Sequence, residues 1–356
     1  MEKLGDDRKY GFRIFCFAIG LIVLFVISFL IGRYPIHPLE LIGMLGDSLL
    51  GVLNKFLSLF GANTDFHIEQ FWDENTEAIF FAIRLPRILL ACLVGCCISM
   101  AGAAYQGVFQ NPMAAPDILG ASSGAAFGAA LAIILGGTTF FITGSAFAFS
   151  LITVLFVMLV SKFASGSKIL GLILGGIVIS SLFTSGTSYL KLVADPNDQL
   201  PQITYWLMGS LTEAKLSEVG FACIPMLLGI IPLILLRWRI NILTLGDEEA
   251  ASMGVDTKRV RLFVIICSTL ITAASVSVSG MIGWVGLVIP HFARRIVGNN
   301  YMHLMILSMV LGALFLLGVD DISRILIAKE IPLGILTSLI GAPFFIYLLT
   351  RKEELT

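Results

Sequence analysis

Between Phe109 and Gly120 the chain reads Phe-Gln-Asn-Pro-Met-Ala-Ala-Pro-Asp-Ile-Leu-Gly, a polar turn broken by two prolines between strongly apolar stretches. Asn111, Pro112, Pro116 and Asp117 cannot lie in lipid unless their polar groups are satisfied, so this turn either reaches water or lines a cavity within the protein. A second polar group, Asp247-Glu248-Glu249, opens the segment Leu245–Val255. Acids in a first helical turn are stabilised by the helix dipole, and Gly254 is a natural stop. A helix of two turns with so little apolar surface needs something to pack against. Arg84, Arg87 and Arg324 form the third group. Pro86 opens a helix there, and the positive end of that helix disfavours the first two arginines. Two readings stay open for them: local pairing with Asp320, Asp321 or Glu77, or a basic surface for the carboxylates of a protein partner, since complementary charge fixes orientation and speeds encounter.

Other chemistry is missing. The chain has no Gly-x4-Gly-Lys-[Ser/Thr] phosphate loop and no His-Glu-x-x-His. His291, in Gly286-Leu-Val-Ile-Pro-His291, has no second ligand at metal spacing and reads as structural. Cys16, Cys92, Cys96, Cys97, Cys223 and Cys267 all fall in apolar stretches without ligand spacing, so they read as small packing residues. No catalytic or metal-ligating set is visible, and no cofactor is expected on this chain. With a net charge of −1, nothing suggests a nucleic-acid partner.

Composition says where these residues must sit. Of 356 residues 57% are hydrophobic and 13% charged, with a mean hydropathy of +0.94; soluble domains carry about 25% charged residues. The chain is therefore read as an all-α polytopic membrane protein, one transmembrane domain over residues 1–356. A window of roughly 20 residues places about ten transmembrane helices near 12–31, 86–108, 120–136, 140–161, 169–191, 217–236, 262–279, 283–297, 304–319 and 333–350. The first follows a basic start and reads as a span, not a cleaved signal. Gly280, Gly283, Gly286 and Pro290 break the eighth, which is expected to be partly re-entrant. With both termini cytoplasmic, the inner side holds most of the 23 Lys and Arg. Only Arg33, Lys55, Arg84, Arg87, Lys191, Lys215, Arg324 and Lys329 lie outside, as the positive-inside rule requires. Residues 32–82 form an outer-face segment, with an apolar patch at 41–60 read as a helix on that face or dipping into it, and an acidic run from Asp65 to Glu77. Residues 237–261 form the largest inner loop. Gly120, Gly124 and Gly128, and Gly171 with Gly175, have small-xxx-small spacing for close helix packing.

Six motifs in register complete the picture: Arg84-Leu-Pro-Arg87, Gln110-Asn-Pro-Met-Ala-Ala-Pro116, Tyr205-Trp-Leu-Met-Gly-Ser210, Gly246–Gly254, Gly286-Leu-Val-Ile-Pro-His291 and Leu339-Ile-Gly-Ala-Pro-Phe-Phe345. From Arg84 to the C-terminus the chain resembles the FecCD-type permeases, the membrane subunits of type II ABC importers for ferric siderophores, haem and cobalamin. The resemblance implies a multi-pass protein of the bacterial cytoplasmic membrane, working with a second permease copy, two ATPase subunits that carry ATP and Mg on the cytoplasmic face, and an extracytoplasmic substrate-binding protein. It also implies roles for residues. Asn111 and Met113 match a cytoplasmic gate loop. Gly246, Asp247, Glu248, Glu249, Ala250, Ala251 and Gly254 match the helix that couples to the ATPase. Arg84, Arg87 and Arg324 match arginines that dock the binding protein, although Arg324 stands one residue closer to Glu330-Ile-Pro-Leu-Gly334 than the pattern has it, and residues 32–82 are longer than usual. By the same resemblance the fifth and tenth helices wall the pathway, and alternating access moves the cargo. An ion-coupled secondary transporter is the alternative; it calls for a chain of buried ionisable residues, which the helix interiors lack.

Overall fold

The computed structural model describes residues 2–58, 60, 64, 66–163, 168–327 and 330–350. Asp65, Lys329, Arg351 and Lys352 of the charge reading lie outside them. Every regular element is helical, 79% of the chain, and no strand occurs among the described residues. The elements run α1 (Glu2–Ser28), α2 (Pro38–Ser58), α3 (Glu74–Ala78), a π-helical turn (Ile79–Arg84), α4 (Leu85–Val108), α5 (Ala121–Ile134), α6 (Thr139–Ser161), α7 (Lys168–Val193), α8 (Gln199–Met208), α9 (Leu216–Leu243), α10 (Asp247–Ser252), α11 (Thr257–Ser279), α12 (Val285–Val297), α13 (Tyr301–Ile325) and α14 (Leu333–Thr350). All ten predicted apolar segments are helical, and eight helices, α2 among them, are long and apolar enough to cross a membrane.

The bundle has two distinct ends. At the near end, which carries the start of α1, Arg13 donates to Ile296 O and the Tyr10 and His303 rings lie 5.5 Å apart. Arg237 donates to Met302 O at 3.2 Å there, joining α9 to α13. At the far end Arg33 reaches Ile327 O at 2.8 Å, and Thr212 reaches Glu330 at 3.0 Å.

Helix α4 is the axis of the fold, buried along nearly its whole length against α9, α11, α12 and α13. Apolar helices in lipid gain little from burying oily surface, so they associate by close backbone approach at small residues. Gly95 and Gly312 meet backbone to backbone; a Cβ on Gly95 would stand 2.2 Å from Gly312 O. On Gly102 it would stand 1.8 Å from Gly286 O. That second contact seats the start of α12 against the middle of the bundle. The chain from Gly280 to Trp284, between α11 and α12, is unwound, with Gly280 at φ +65° and Trp284 at φ +70°. The predicted break thus falls at Gly280 and Gly283, whereas Gly286 and Pro290, also expected to break the helix, lie within a continuous α12 of 13 residues.

Residues 32–82 hold the largest departure from a simple helix count. The apolar patch is α2, a regular helix of 21 residues, which makes little contact with the other helices. The chain folds back along it without helical structure. Ile68 N donates to Asp47 Oδ1 at 2.9 Å, Asn54 Nδ2 donates to Phe66 O at 2.8 Å, and Trp72 packs on Gly43. The return packs on Gly43, Gly46, Asp47 and Asn54; Leu41 and Met44 are buried, while Ile42, Leu45, Leu49, Val52 and Phe56 form an exposed stripe.

The glycine contacts make a direct prediction. Gly102→Val should lower stability by at least about 1–3 kcal/mol through overpacking. Gly144→Ala, at a helical position with nothing within 4 Å, should be neutral or stabilising by about 0.5–1 kcal/mol. Thermal unfolding of the detergent-purified variants measures both.

Candidate functional site

The predicted site residues fall into two groups at opposite ends of the bundle. At the near end, α4 stops at Phe109 and Gln110 turns the chain at φ +50°. Asn111 then organises the turn. Its backbone N–H donates to Gln106 O at 3.2 Å, its Oδ1 accepts from Met113 N at 2.9 Å, and its carbonyl accepts from Ala114 N at 3.0 Å. Asn is suited to this because its side chain can bond its own backbone two residues on. Met113 is left 44% exposed at the tip. The loop re-enters helix through Asp117, whose Oδ1 accepts from Ser122 N at 2.7 Å, and Gly120 at φ +75°, where a Cβ would strike Ser180 Oγ. His291 Nε2 lies 3.0 Å from Pro112 O, so the ring pins the loop to α12 with that nitrogen as donor. Thus His291 is structural, as its isolation in sequence implied. Behind the loop, Pro116, Asp117, Ser122, Trp284 and Leu287 help line a cavity of about 240 Å³ beside the unwound segment.

Beside this loop stands the acidic segment. Gly246 at φ +124° and Gly254 at φ +78° bracket α10, as the sequence predicted. Only Ala250 of the helix is buried; Asp247, Glu248, Glu249 and Ala251 face outward between exposed Leu245 and Met253. Two residues whose bonds sequence reasoning passed over tie α10 to the end of α4 and the loop to the end of α9. Arg261 on α11 donates to Asp247 Oδ1 at 2.7 Å and to Val108 O at 3.3 Å, and Gln110 Nε2 donates to Leu243 O at 2.7 Å. Arg261 had looked like one more cation flanking a span. Its place in the second turn of an apolar helix, where it is buried, was the only signal of a partner.

At the far end the arginines are not on a surface. Arg84, Arg87 and Arg324 are 4%, 3% and 5% exposed. Arg87 Nε donates to Asp320 at 2.9 Å and its Nη1 to Glu330 at 2.8 Å. Arg324 pairs with Asp320 at 3.2 Å and with Asp321, and donates to Ser28 O and Ile31 O at 3.1 and 3.0 Å. Arg84 caps the end of α1 by donating to Phe29 O and Tyr34 O. Two acids in an apolar helix are costly unless paired, which is why Asp320 and Asp321 draw these cations inward. Of the two readings, local pairing is the one the structure displays for Arg87 and Arg324. Glu77 bonds Trp72 and Gln70 instead. Glu330, outside the helices and partly exposed, links three pieces: its Oε2 accepts from Arg87 and from Thr212 in the α8–α9 turn, just before α14. Burial works against its charge, but Arg87 and the two hydrogen bonds outweigh it and hold the carboxyl below its ordinary 4.5.

This sequence matches the FecCD transport family over residues 20–351. The chain belongs to that family. Among FecCD relatives, the molybdate import system permease protein MolB of Haemophilus influenzae is 41% identical over 77% of this chain and 81% of its own. The probable iron chelatin transport system permease protein of Helicobacter pylori is 36% identical over 94% and 97%. The hemin transport system permease protein HmuU of Yersinia pestis is 36% identical over 87% and 92%. A solved inward-facing metal-chelate type ABC transporter superposes with a TM-score of 0.81 at 36% identity, covering 94% of this chain and 98% of that one. The FecCD protein described here is thus a multi-pass ABC importer permease.

The charge cluster carries two predictions. Asp320→Asn removes the one carboxylate shared by two buried guanidinium groups, each of which keeps a second partner, and should cost about 3 kcal/mol, more than Glu330→Gln, whose partner keeps Asp320; thermal unfolding ranks them. Because the Glu330 carboxyl is held low when folded, its contribution is fully present above pH 4.5 and is lost as pH falls through the lowered value. A tryptophan or labelled reporter in the α8–α9 turn should therefore stay ordered at pH 5 and loosen only below the ordinary carboxyl range, and Glu330→Gln should abolish that transition.

Proposed function

We propose that this chain is the membrane permease of an ATP-driven importer that brings an iron chelate, haem or a cobalamin-type compound into the cytoplasm. The observation that supports it is the exposed acidic helix α10 standing against the polar loop 109–120. That arrangement suits an ATPase-coupled gate, and it has no use in an ion-coupled carrier. In this reading the near end is cytoplasmic and both termini lie there. Ten helices cross the membrane: α1, α4–α7, α9 and α11–α14. Helix α2 stays on the outer face, because its non-helical return carries His67, Glu69 and Gln70, and lipid could not satisfy that backbone.

Two copies of the permease enclose the pathway, with α7 and α14 as its walls. Two ATPase subunits, which hold ATP and Mg, grip Asp247, Glu248 and Glu249, and Asn111 and Met113 close the inner mouth. An extracytoplasmic binding protein docks on the outer face. The buried arginines Arg84, Arg87 and Arg324 support docking by holding the outer ends of α1, α4 and α13 in register, and Glu330 stands at the rim they support. Binding of ATP draws the ATPases together, moves α10 and opens the pathway alternately to each side. A second cargo, molybdate, is favoured by the 41% identity to a molybdate permease.

Gentle purification from native membranes should bring down an ATPase in equal number, and vesicles holding the complex should take up radiolabelled iron chelate, haem or cobalamin in competition assays against molybdate. A permease that purifies cleanly and transports without any ATPase would overturn the reading. Replacing Asp247, Glu248 and Glu249 together by lysine should abolish transport while the protein stays folded by size exclusion; uptake within about twofold of the parent, well short of the roughly fivefold that marks a real coupling, would remove α10 from the mechanism.

A further inference from the structure

Two helix ends lie at the near end: that of α4 is capped by a side chain of α11, and that of α9 by a side chain of the loop that follows α4. The last carbonyls of a helix have no partner within it and must be bonded from outside. Val108 O, at the end of α4, accepts from Arg261 Nε at 3.3 Å. Leu243 O, at the end of α9, accepts from Gln110 Nε2 at 2.7 Å. Beyond α4 runs the gate loop, and beyond α9 runs α10. Arg261 adds a second grip: its Nη1 and Nη2 reach Asp247 Oδ2 and Oδ1 at 3.3 and 2.7 Å. A planar guanidinium can serve a carboxylate with two donors and a carbonyl with a third, which an ammonium cannot do in fixed geometry. Arg261 is 7% exposed while the Asp247 side chain is 53% exposed, so the anchor is internal and the lever is external. The helices behind are also locked together, since a Cβ on Gly107 would meet Ile240 Cγ2 at 2.7 Å.

We infer that Arg261 and Gln110 are positioning residues that make α10 and loop 109–120 a single cross-bonded body, so that a displacement of α10 moves the gate loop directly. The inference rests on the reading of α10 as the ATPase-facing helix, and it names the parts that transmit the stroke. Any pull on Asp247 draws on Arg261, and through it on the carbonyl that ends α4. Any shift of the α9 end draws on Gln110, whose backbone at φ +50° sets the direction of the loop. His291 holds the loop to α12 at Pro112 O, which leaves Met113 as the free tip.

The test uses the permease purified with the ATPase that accompanies it, in nanodiscs, carrying Met113→Cys in a background with the six native cysteines replaced by alanine or serine. The labelling rate of Met113→Cys by a water-soluble maleimide is read without nucleotide and with a non-hydrolysable ATP analogue. In the parent, the analogue should change that rate by at least about fivefold, the lower end of a typical coupling. Arg261→Met removes all three bonds, and Gln110→Asn keeps a residue that accepts positive φ but is too short to reach Leu243 O. Each should shrink the nucleotide response to less than about twofold while the ATPase still co-purifies, and Arg261→Lys should give an intermediate response. A full response in both variants overturns the inference. If Arg261→Met does not assemble, Gln110→Asn decides alone. Loss of the response in the parent itself, with an ATPase bound, would instead overturn the reading of α10 as the coupling helix.

Discussion

Helix α4 has to pack against four other helices, two of them at backbone distance, and nearly everything else in this protein follows from that. In lipid the gain from association comes from close fit and from hydrogen bonds, so a hub helix must lack side chains where its neighbours cross. Gly95 against Gly312 and Gly102 against Gly286 meet that demand at two levels of α4. The first contact brings α13 near enough for Arg87 to reach Asp320, and the second sets where α12 can begin. The seam between α4 and α13 is thus tied twice, by absent side chains in its middle and by paired charges at its far end. These ties reinforce each other. Asp320 could not be buried without a cation at hydrogen-bond distance, and Arg87 could not arrive there if the helices stood farther apart.

Much of this was legible in the sequence, for reasons that differ by residue. The apolar segments were found because a bilayer imposes a fixed length on whatever crosses it. The bounds of α10 were found because acids favour a first helical turn, at Asp247–Glu249, and because glycine at 254 accepts the left-handed angle that ends a helix. Arg324 stands four residues from Asp320 and three from Asp321, so that part of the charge network could be read from spacing alone. Arg87 with Asp320 and Glu330 could not, because those partners are joined only by folding. Helix α2 satisfies a length and hydropathy criterion for a span, and the polar return that packs along it at Asp47 and Asn54 is visible only in three dimensions. Arg261 was hidden for another reason. An arginine near the near-end start of a membrane helix has an ordinary use as a charge anchor, and that use masked its bonds to Val108 O and Asp247.

The two ends of the bundle are built for different work. At the far end, three guanidinium groups and three carboxylates are mostly buried, share partners and tie α1, α4 and α13 to the turn before α14. Breaking any one pair strands a charge in a poorly hydrated place, so that end resists rearrangement. Among the described residues the near end is held by hydrogen bonds to helix-end carbonyls and by ion pairs, Arg261–Asp247 and Arg259–Asp256, whose carboxylates are half in water. With their carboxylates half in water, the near-end ion pairs give up less on breaking than the buried pairs of the far end. A permease hinged in this way would keep its outer rim in register while its inner loops move. The bonds of Arg261 and Gln110 then gain their meaning: one ties the end of α4 to α11 and Asp247, the other ties the loop after α4 to the end of α9, so the segments on either side of α10 and the loop are linked twice. The same asymmetry accounts for the turn at Glu330. It is the one member of the charge cluster that stands outside the helices and partly in solvent, so it is the place where the rigid rim can yield without exposing the buried pairs.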